Sequence, residues 1–140
     1  MTDTTNFNQT IIDEFRANGG KVAGGFAGIP MVIITTKGAK SGQPRVNPLA
    51  ALVEDDGTLY IFASKGGAPT NPDWYHNIVA NPEVQVEFGD DKYTAVATVL
   101  SGDKRNEIYD RQKALIPGFA DYETSTTRTI PVVALTRKDS

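Results

Sequence analysis

Apolar residues along this chain fall mostly into short runs broken by turn residues, with helical spacing confined to three stretches. Phe7, Ile11, Ile12 and Phe15 recur at the spacing that places them on one face of an amphipathic helix, and Gly19-Gly20 stands where such a helix stops. The pattern predicts an amino-terminal helix within residues 1–20. GGKVAGGFAG follows, with five glycines in ten residues. It comes after a helix and before a strand, the reverse of a phosphate-binding loop, and matches neither GxGxxG nor GxxxxGK[ST], so it reads as a connector. MVIITT (31–36) predicts a buried strand. RVNPLAALV (45–53) predicts a second, with Pro48 marking an edge or a bulge. EDDG is a turn, and TLYIFAS (58–64) predicts a third strand of alternating character. VQVEF (84–88), GDD and YTAVATVL (93–100) form a hairpin signature, and IPVVALT (130–136) predicts a last strand.

Two further helices interrupt the strands. Asn71-Pro72 is a start signal, Asn offering the cap oxygen and Pro the first-turn geometry; behind it Trp74 and Ile78 bury one face and His76 lies off it. DKRNEIYDRQKALI (103–116) is helical in pattern, with Ile108, Tyr109 and Leu115 inward. Six short strands with tight turns and few crossover helices predict a mainly β, α+β chain: about six antiparallel strands in a barrel with helices on its flanks. Parallel pairing would need a helix between successive strands.

A length of 140 residues is that of one ordinary domain, and no repeat or linker divides it. The absence of cysteine excludes disulfides, thiolate metal sites and a cysteine nucleophile. A net charge of −3 has the wrong sign for a nucleic-acid binder. MTDTTNFNQT lacks the basic and apolar regions of a signal peptide, and no apolar run spans a bilayer, so a cytoplasmic location is expected. Contact of the amino-terminal helix with the inner face of a membrane stays open.

Candidate chemistry gathers in two loops. KGAKSGQPR joins the first two strands and carries Lys37, Lys40, Ser41 and Arg45; ASKGGAPTNPDWYHNI follows the third strand and carries Lys65, two glycines, the sole Trp and the sole His. Read blandly, these are two hairpin turns with solubilising lysines. Read functionally, they border one groove at a barrel end, where guanidinium, ammonium and free amides meet a phosphorylated or carboxylate-bearing ligand. Other chemistry is poorly served. His76 has no GxSxG partner, Asp73 suits the first turn of a helix, one His without Cys makes a transition-metal site improbable, and Asp55-Asp56 and Asp90-Asp91 are turn residues. A chain so poor in reactive groups fits hydride or electron transfer by a bound cofactor.

The ordered set FRANGGKVAGGFAG, TTKGAKSGQPRVNPL, ASKGGAPTNPDWYHN, NPEVQVE and TTRTIPVV, spanning Phe15 to Val133, resembles the actinobacterial deazaflavin-dependent nitroreductase and F420H2-dependent quinone reductase family. The resemblance implies a split β-barrel like those of flavin reductases and pyridoxamine-phosphate oxidases. It implies reduced coenzyme F420, a deazaflavin with phosphate and oligoglutamate tail. It also assigns residues: Lys40, Ser41, Gly42 and Arg45 to the phosphate and tail; Ser64, Lys65, Gly66 and Gly67 to the ring and ribityl chain; Trp74 and Asn77 to the ring pocket; Pro48 beneath the cofactor; and Ala63 to the cofactor-binding set as well. Two departures stand out. Ala39 replaces an arginine common in relatives. Ala50, Ile116, Phe119 and Ser125 stand where nitro-reducing relatives tend to carry tyrosines or other aromatics, and Tyr122 alone remains a tyrosine.

The resulting expectation is an oxidoreductase that passes hydride from reduced F420 to a small electron-poor acceptor, a quinone or enone, with weak or absent nitroimidazole reduction. Ser64 and Tyr122 are the candidate catalytic hydroxyls, no metal takes part, and the chain works as a monomer or homodimer. An FMN-dependent split-barrel reductase and a non-enzymatic carrier of deazaflavin or a fatty ligand are the alternatives.

Overall fold

The computed structural model describes residues 10, 12–13, 15–17, 30–63, 71–89, 91–116, 118–126 and 129–138. Phe7, Ile11, the Gly19-Gly20 stop, the glycine-rich connector and the loop from Ser64 to Thr70 lie outside the described residues. Six strands form a closed antiparallel barrel: β1 (Met31–Lys37), β2 (Pro44–Val53), β3 (Leu59–Phe62), β4 (Glu83–Phe88), β5 (Asp91–Val99) and β6 (Val132–Arg137), in the order β1-β2-β3-β6-β5-β4. Three helices are inserted: α1 (Asp73–Ala80), α2 (Gly102–Leu115) and α3 (Gly118–Thr124). The described residues of the amino-terminal segment from Thr10 to Ala17 are helical as well.

Strand parity sorts the apolar residues into three layers. Val32, Ile34, Ala51, Leu59, Ile61, Val84, Val86, Ala95, Val133 and Leu135 fill the barrel, and Trp74 and Ile78 of α1 join them. On the opposite faces of β2, β3 and β6, Leu52, Tyr60, Phe62, Val132 and Ala134 pack under Ile108, Tyr109 and Phe119 of α2 and α3. The opposite face of β1, Met31 and Ile33, is covered by Ile12 and Phe15. Strands covered on both faces read as continuous apolar runs, which explains MVIITT and IPVVALT. It also corrects the alternation expected of β3, whose four residues Leu59, Tyr60, Ile61 and Phe62 are all buried.

The expected edge at Pro48 is present. Residues 44–50 of β2 pair with β1 alone, Pro48 opposite Ile33, and β3 joins only from Ala51 onward. A proline without N–H is accommodated where its strand has one partner.

Three local expectations change. Helix α1 begins one residue later than Asn71-Pro72 implied: Pro72 itself is the N-cap, extended at φ −68° and ψ 157°, and has no side-chain donor or acceptor to cap with. Asp73 instead supplies negative charge to the first turn. Leu115 is 67% exposed; it lies in the last turn of α2, past the covered surface, and Ile116 packs against the outer layer in its place. Helix α3 was not anticipated, because GFADYET is short and shows no apolar repeat of its own. Arg105 holds this region together from a buried position, donating from Nε and Nη2 to the carbonyl of Ile130 at 3.0 and 2.9 Å.

Candidate cofactor groove

The β1–β2 connection is a tight, internally bonded turn. Gly38 N–H donates to Gln43 O at 2.8 Å and Gly42 N–H to Gly38 O at 2.9 Å. Gly42 takes φ +70°, the left-handed region that favours glycine. Gly38 is required for a different reason: a Cβ there would stand 2.5 Å from Ser41 Oγ. The missing side chain lets Ser41 fold inward, where its Oγ accepts from Gln43 N–H at 3.2 Å and from Arg45 Nη2 at 3.4 Å. With those acceptor positions taken, the hydroxyl proton is the part of Ser41 left to serve an anion.

Asn77 ties α1 to this turn. It is buried, its Oδ1 accepts from Ala39 N–H at 2.9 Å, and its Nδ2 donates to Thr36 Oγ1 at 3.2 Å. Trp74, one turn earlier, is 4% exposed and forms part of the barrel core, which makes it a packing residue first. Between the turn, β2 and α1 runs a groove of about 920 Å³, lined by Gly38, Ala39, Lys40, Ser41, Arg45 and Asn47 of the turn and β2 and by Asp73, Trp74, His76 and Asn77 of α1, with Ile12 also contributing.

Of the residues assigned from sequence, the fold thus brings Lys40, Ser41, Arg45, Trp74 and Asn77 to one groove. Gly42 shapes the turn without lining the groove, Pro48 lies farther along β2, and Ala63 is fully buried among the core residues. Ser64, Lys65, Gly66 and Gly67 lie outside the described residues. Tyr122 sits elsewhere, half-buried on α3 against the outer apolar layer, its ring 5.1 Å from that of Phe119 in an edge-on contact. Phe119 itself is a core residue, packed on Phe62 and Tyr109. Tyr109 donates to the Phe119 carbonyl at 2.7 Å, and burial pushes its phenol up to about 12. Ala50 packs against the layer beneath the amino-terminal segment, and Ser125 donates to Asp121 O at 2.7 Å. Sequence reasoning gave no cofactor role to the other lining residues, among them Asn47, Asp73 and His76. His76 was legible as the residue of α1 off its buried face.

The chemistry of the lining suits a long anion. Lys40, Arg45 and the Ser41 hydroxyl outweigh the single carboxylate, Asp73, among the lining residues. The family comparison decides between a generic anion and a particular one: residues 8–137 match the family model for F420H(2)-dependent quinone reductases. The chain belongs to that family. It is an F420H2-dependent reductase whose cofactor is reduced coenzyme F420. It is 34% identical over 130 residues to an F420H(2)-dependent quinone reductase of Mycobacterium tuberculosis strain H37Rv, covering 89% of this chain and 85% of that one. A solved F420-H2 dependent reductase, FDR-A, superposes with a TM-score of 0.69 at 42% identity, covering 76% of this chain and 93% of that one. A second solved structure, a domain-swapped dimer, superposes at 0.71 with 35% identity, covering 95% and 99%. The barrel of these reductases is of the split type, as the resemblance implied. No helix among the described residues is long and apolar enough to cross a membrane.

Proposed function

We propose that this chain reduces small quinones or enones with reduced F420, and that it reduces nitroimidazoles weakly or not at all. The observation that carries the cofactor half of this reading is the groove that Lys40, Ser41 and Arg45 line together with Trp74 and Asn77. An FMN phosphate needs one anion site, whereas a phosphate followed by several carboxylates suits a track of donors; this favours F420 over the flavin alternative. When bound, F420 supplies hydride to the acceptor. The chain's part is to hold and orient: Lys40 and Arg45 offer their cationic donors to the tail, Ser41 one hydroxyl, and Pro48, Ala63 and the loop from Ser64 to Gly67 the ring and ribityl chain.

The acceptor half rests on what α3 presents. Hydride addition to a quinone or enone leaves an oxyanion, which a hydroxyl donor stabilises. Ser64 and Tyr122 are assigned that role. Phe119 and Ile116 are committed to the outer apolar layer, which leaves less aromatic surface for a bulky nitroaromatic to stack on. The chain acts as one cofactor-binding domain, and the domain-swapped solved relative favours a homodimer over a monomer. The test is oxidation of reduced F420 followed by absorbance with menadione and with a nitroimidazole. Menadione turnover well above nitroimidazole turnover is expected, as is a larger loss in Tyr122→Phe turnover than in its cofactor affinity. Equal rates with both acceptors contradict the acceptor reading, and binding without turnover of any acceptor supports the carrier alternative.

A further inference from the structure

His76 is the only histidine in the sequence, and the fold puts it in the groove rather than in the core. It is exposed, on the turn of α1 between Trp74 and Asn77, whose side chains face the barrel and the β1–β2 turn. The Asn77–Ala39 bond clamps this part of α1 against the basic turn, and His76 lines the same groove as Lys40, Ser41 and Arg45. Tyr75 meets it edge-on at 5.6 Å, Asp73 is the carboxylate on its own helix, and the amino-terminal segment contributes the apolar Ile12 to the groove.

We propose that His76 is a proton-dependent ligand for the acidic tail of F420, so that cofactor affinity rises as pH falls. Histidine is the side chain whose charge ordinarily changes between about pH 5 and pH 8. The other charged groups lining the groove are Lys40, Arg45 and Asp73. A bound polyanion neutralises the two cations and adds negative charge beside the imidazole, which favours the protonated form. Binding and protonation then assist one another, and by linkage each must strengthen the other equally. Lys40 and Arg45 provide a constant attraction; His76 adds an adjustable one. Because it is exposed, its contribution is that of a screened surface pair, about two- to fivefold in affinity.

The proposal rests on the F420 reading of the groove, and the experiment separates the two. A lone histidine gives a single imidazole Cε1–H resonance, which can be followed by NMR against pH with and without F420, alongside the dissociation constant by calorimetry at about pH 5.5 and about pH 8. The expected result is a resonance that titrates at higher pH in the complex, and binding about two- to fivefold tighter at the lower pH. In His76→Gln that pH difference should shrink toward whatever the cofactor itself contributes, while His76→Arg should bind with the tighter affinity at both pH values. Failure of F420 to bind at all overturns the cofactor reading. Binding that leaves the titration of the resonance unmoved, or a His76→Gln profile identical to that of the unsubstituted protein, overturns the role of His76 alone.

Discussion

The side chain of Asn77 and the backbone of Ala39, 38 positions apart in sequence, are joined by a 2.9 Å hydrogen bond in which Asn77 Oδ1 is the acceptor. The same amide donates to Thr36 Oγ1 at 3.2 Å, so one buried side chain fastens α1 to both the end of β1 and the turn that carries Lys40 and Ser41. Asn77 therefore shapes the cofactor groove through the turn. Asn77→Leu should lower stability by about 1–3 kcal/mol, the cost of leaving a buried polar group unpaired, and should weaken F420 binding several-fold. Turnover at saturating cofactor should change much less. Thermal unfolding and calorimetric titration of the same preparation check both effects.

Gly38→Ala tests the shape of the turn. The new Cβ would lie 2.5 Å from Ser41 Oγ and 3.2 Å from Gln43 O, so either Ser41 swings away or the turn opens. A cost of about 1–3 kcal/mol in stability is expected, as for other overpacked sites. Weaker F420 binding should accompany it, because Ser41 and Arg45 lose their mutual contact. An unchanged melting temperature and affinity would show that the turn yields without consequence.

The amino-terminal segment is held to the barrel by charge as well as by Ile12 and Phe15. Arg16 donates to both carboxylate oxygens of Glu87 on β4, at 3.0 and 2.7 Å, and this pairing pulls the Glu87 carboxyl below its ordinary range. A carboxyl lowered in the folded state contributes stability above its unfolded value, and that contribution is lost as pH falls through the folded one. Acidification below the usual carboxylate range should therefore loosen this attachment, and Glu87→Gln should reproduce the loosening at neutral pH. Hydrogen exchange of residues 10–17 at both pH values is the measurement.

Burial gives the Tyr109 phenol the opposite sensitivity. Its value is raised to about 12 from an ordinary value of about 10, so its contribution is complete below about pH 10 and disappears as pH rises toward 12. Tyr109→Phe removes the hydroxyl that donates to the Phe119 carbonyl and should cost about 1–3 kcal/mol. It should also reduce the loss of stability between about pH 10 and 12. Denaturant unfolding of both proteins across that window decides it.

Legibility in the sequence followed physical locality. The six strands lie close to their expected positions because apolar runs and turn residues are short-range signals, and the antiparallel order follows from connections too short for crossovers. The basic turn was legible because Lys40, Ser41 and Arg45 crowd into one glycine-containing loop. What escaped depends on packing across the chain. Tyr60 and Phe62 are buried under helices whose position no local pattern reveals, and Leu115 is exposed because its helix outruns the surface it covers. Asn77 was assigned to the ring pocket by resemblance, yet its partners Ala39 and Thr36 emerge only when α1 docks on β1. His76 was legible as off-face, but its proximity to the basic turn depends on that same docking.

The central claim is that the groove beside the β1–β2 turn holds the anionic part of F420. The most direct test is the F420 dissociation constant for the unsubstituted protein, Lys40→Ala, Arg45→Ala and the double variant, each at low and high salt. Both cations are exposed, so each substitution should weaken binding by about 1 kcal/mol, roughly fivefold, and the double variant should lose most of the salt dependence. A double variant that binds F420 with unchanged affinity and unchanged salt dependence would contradict the account.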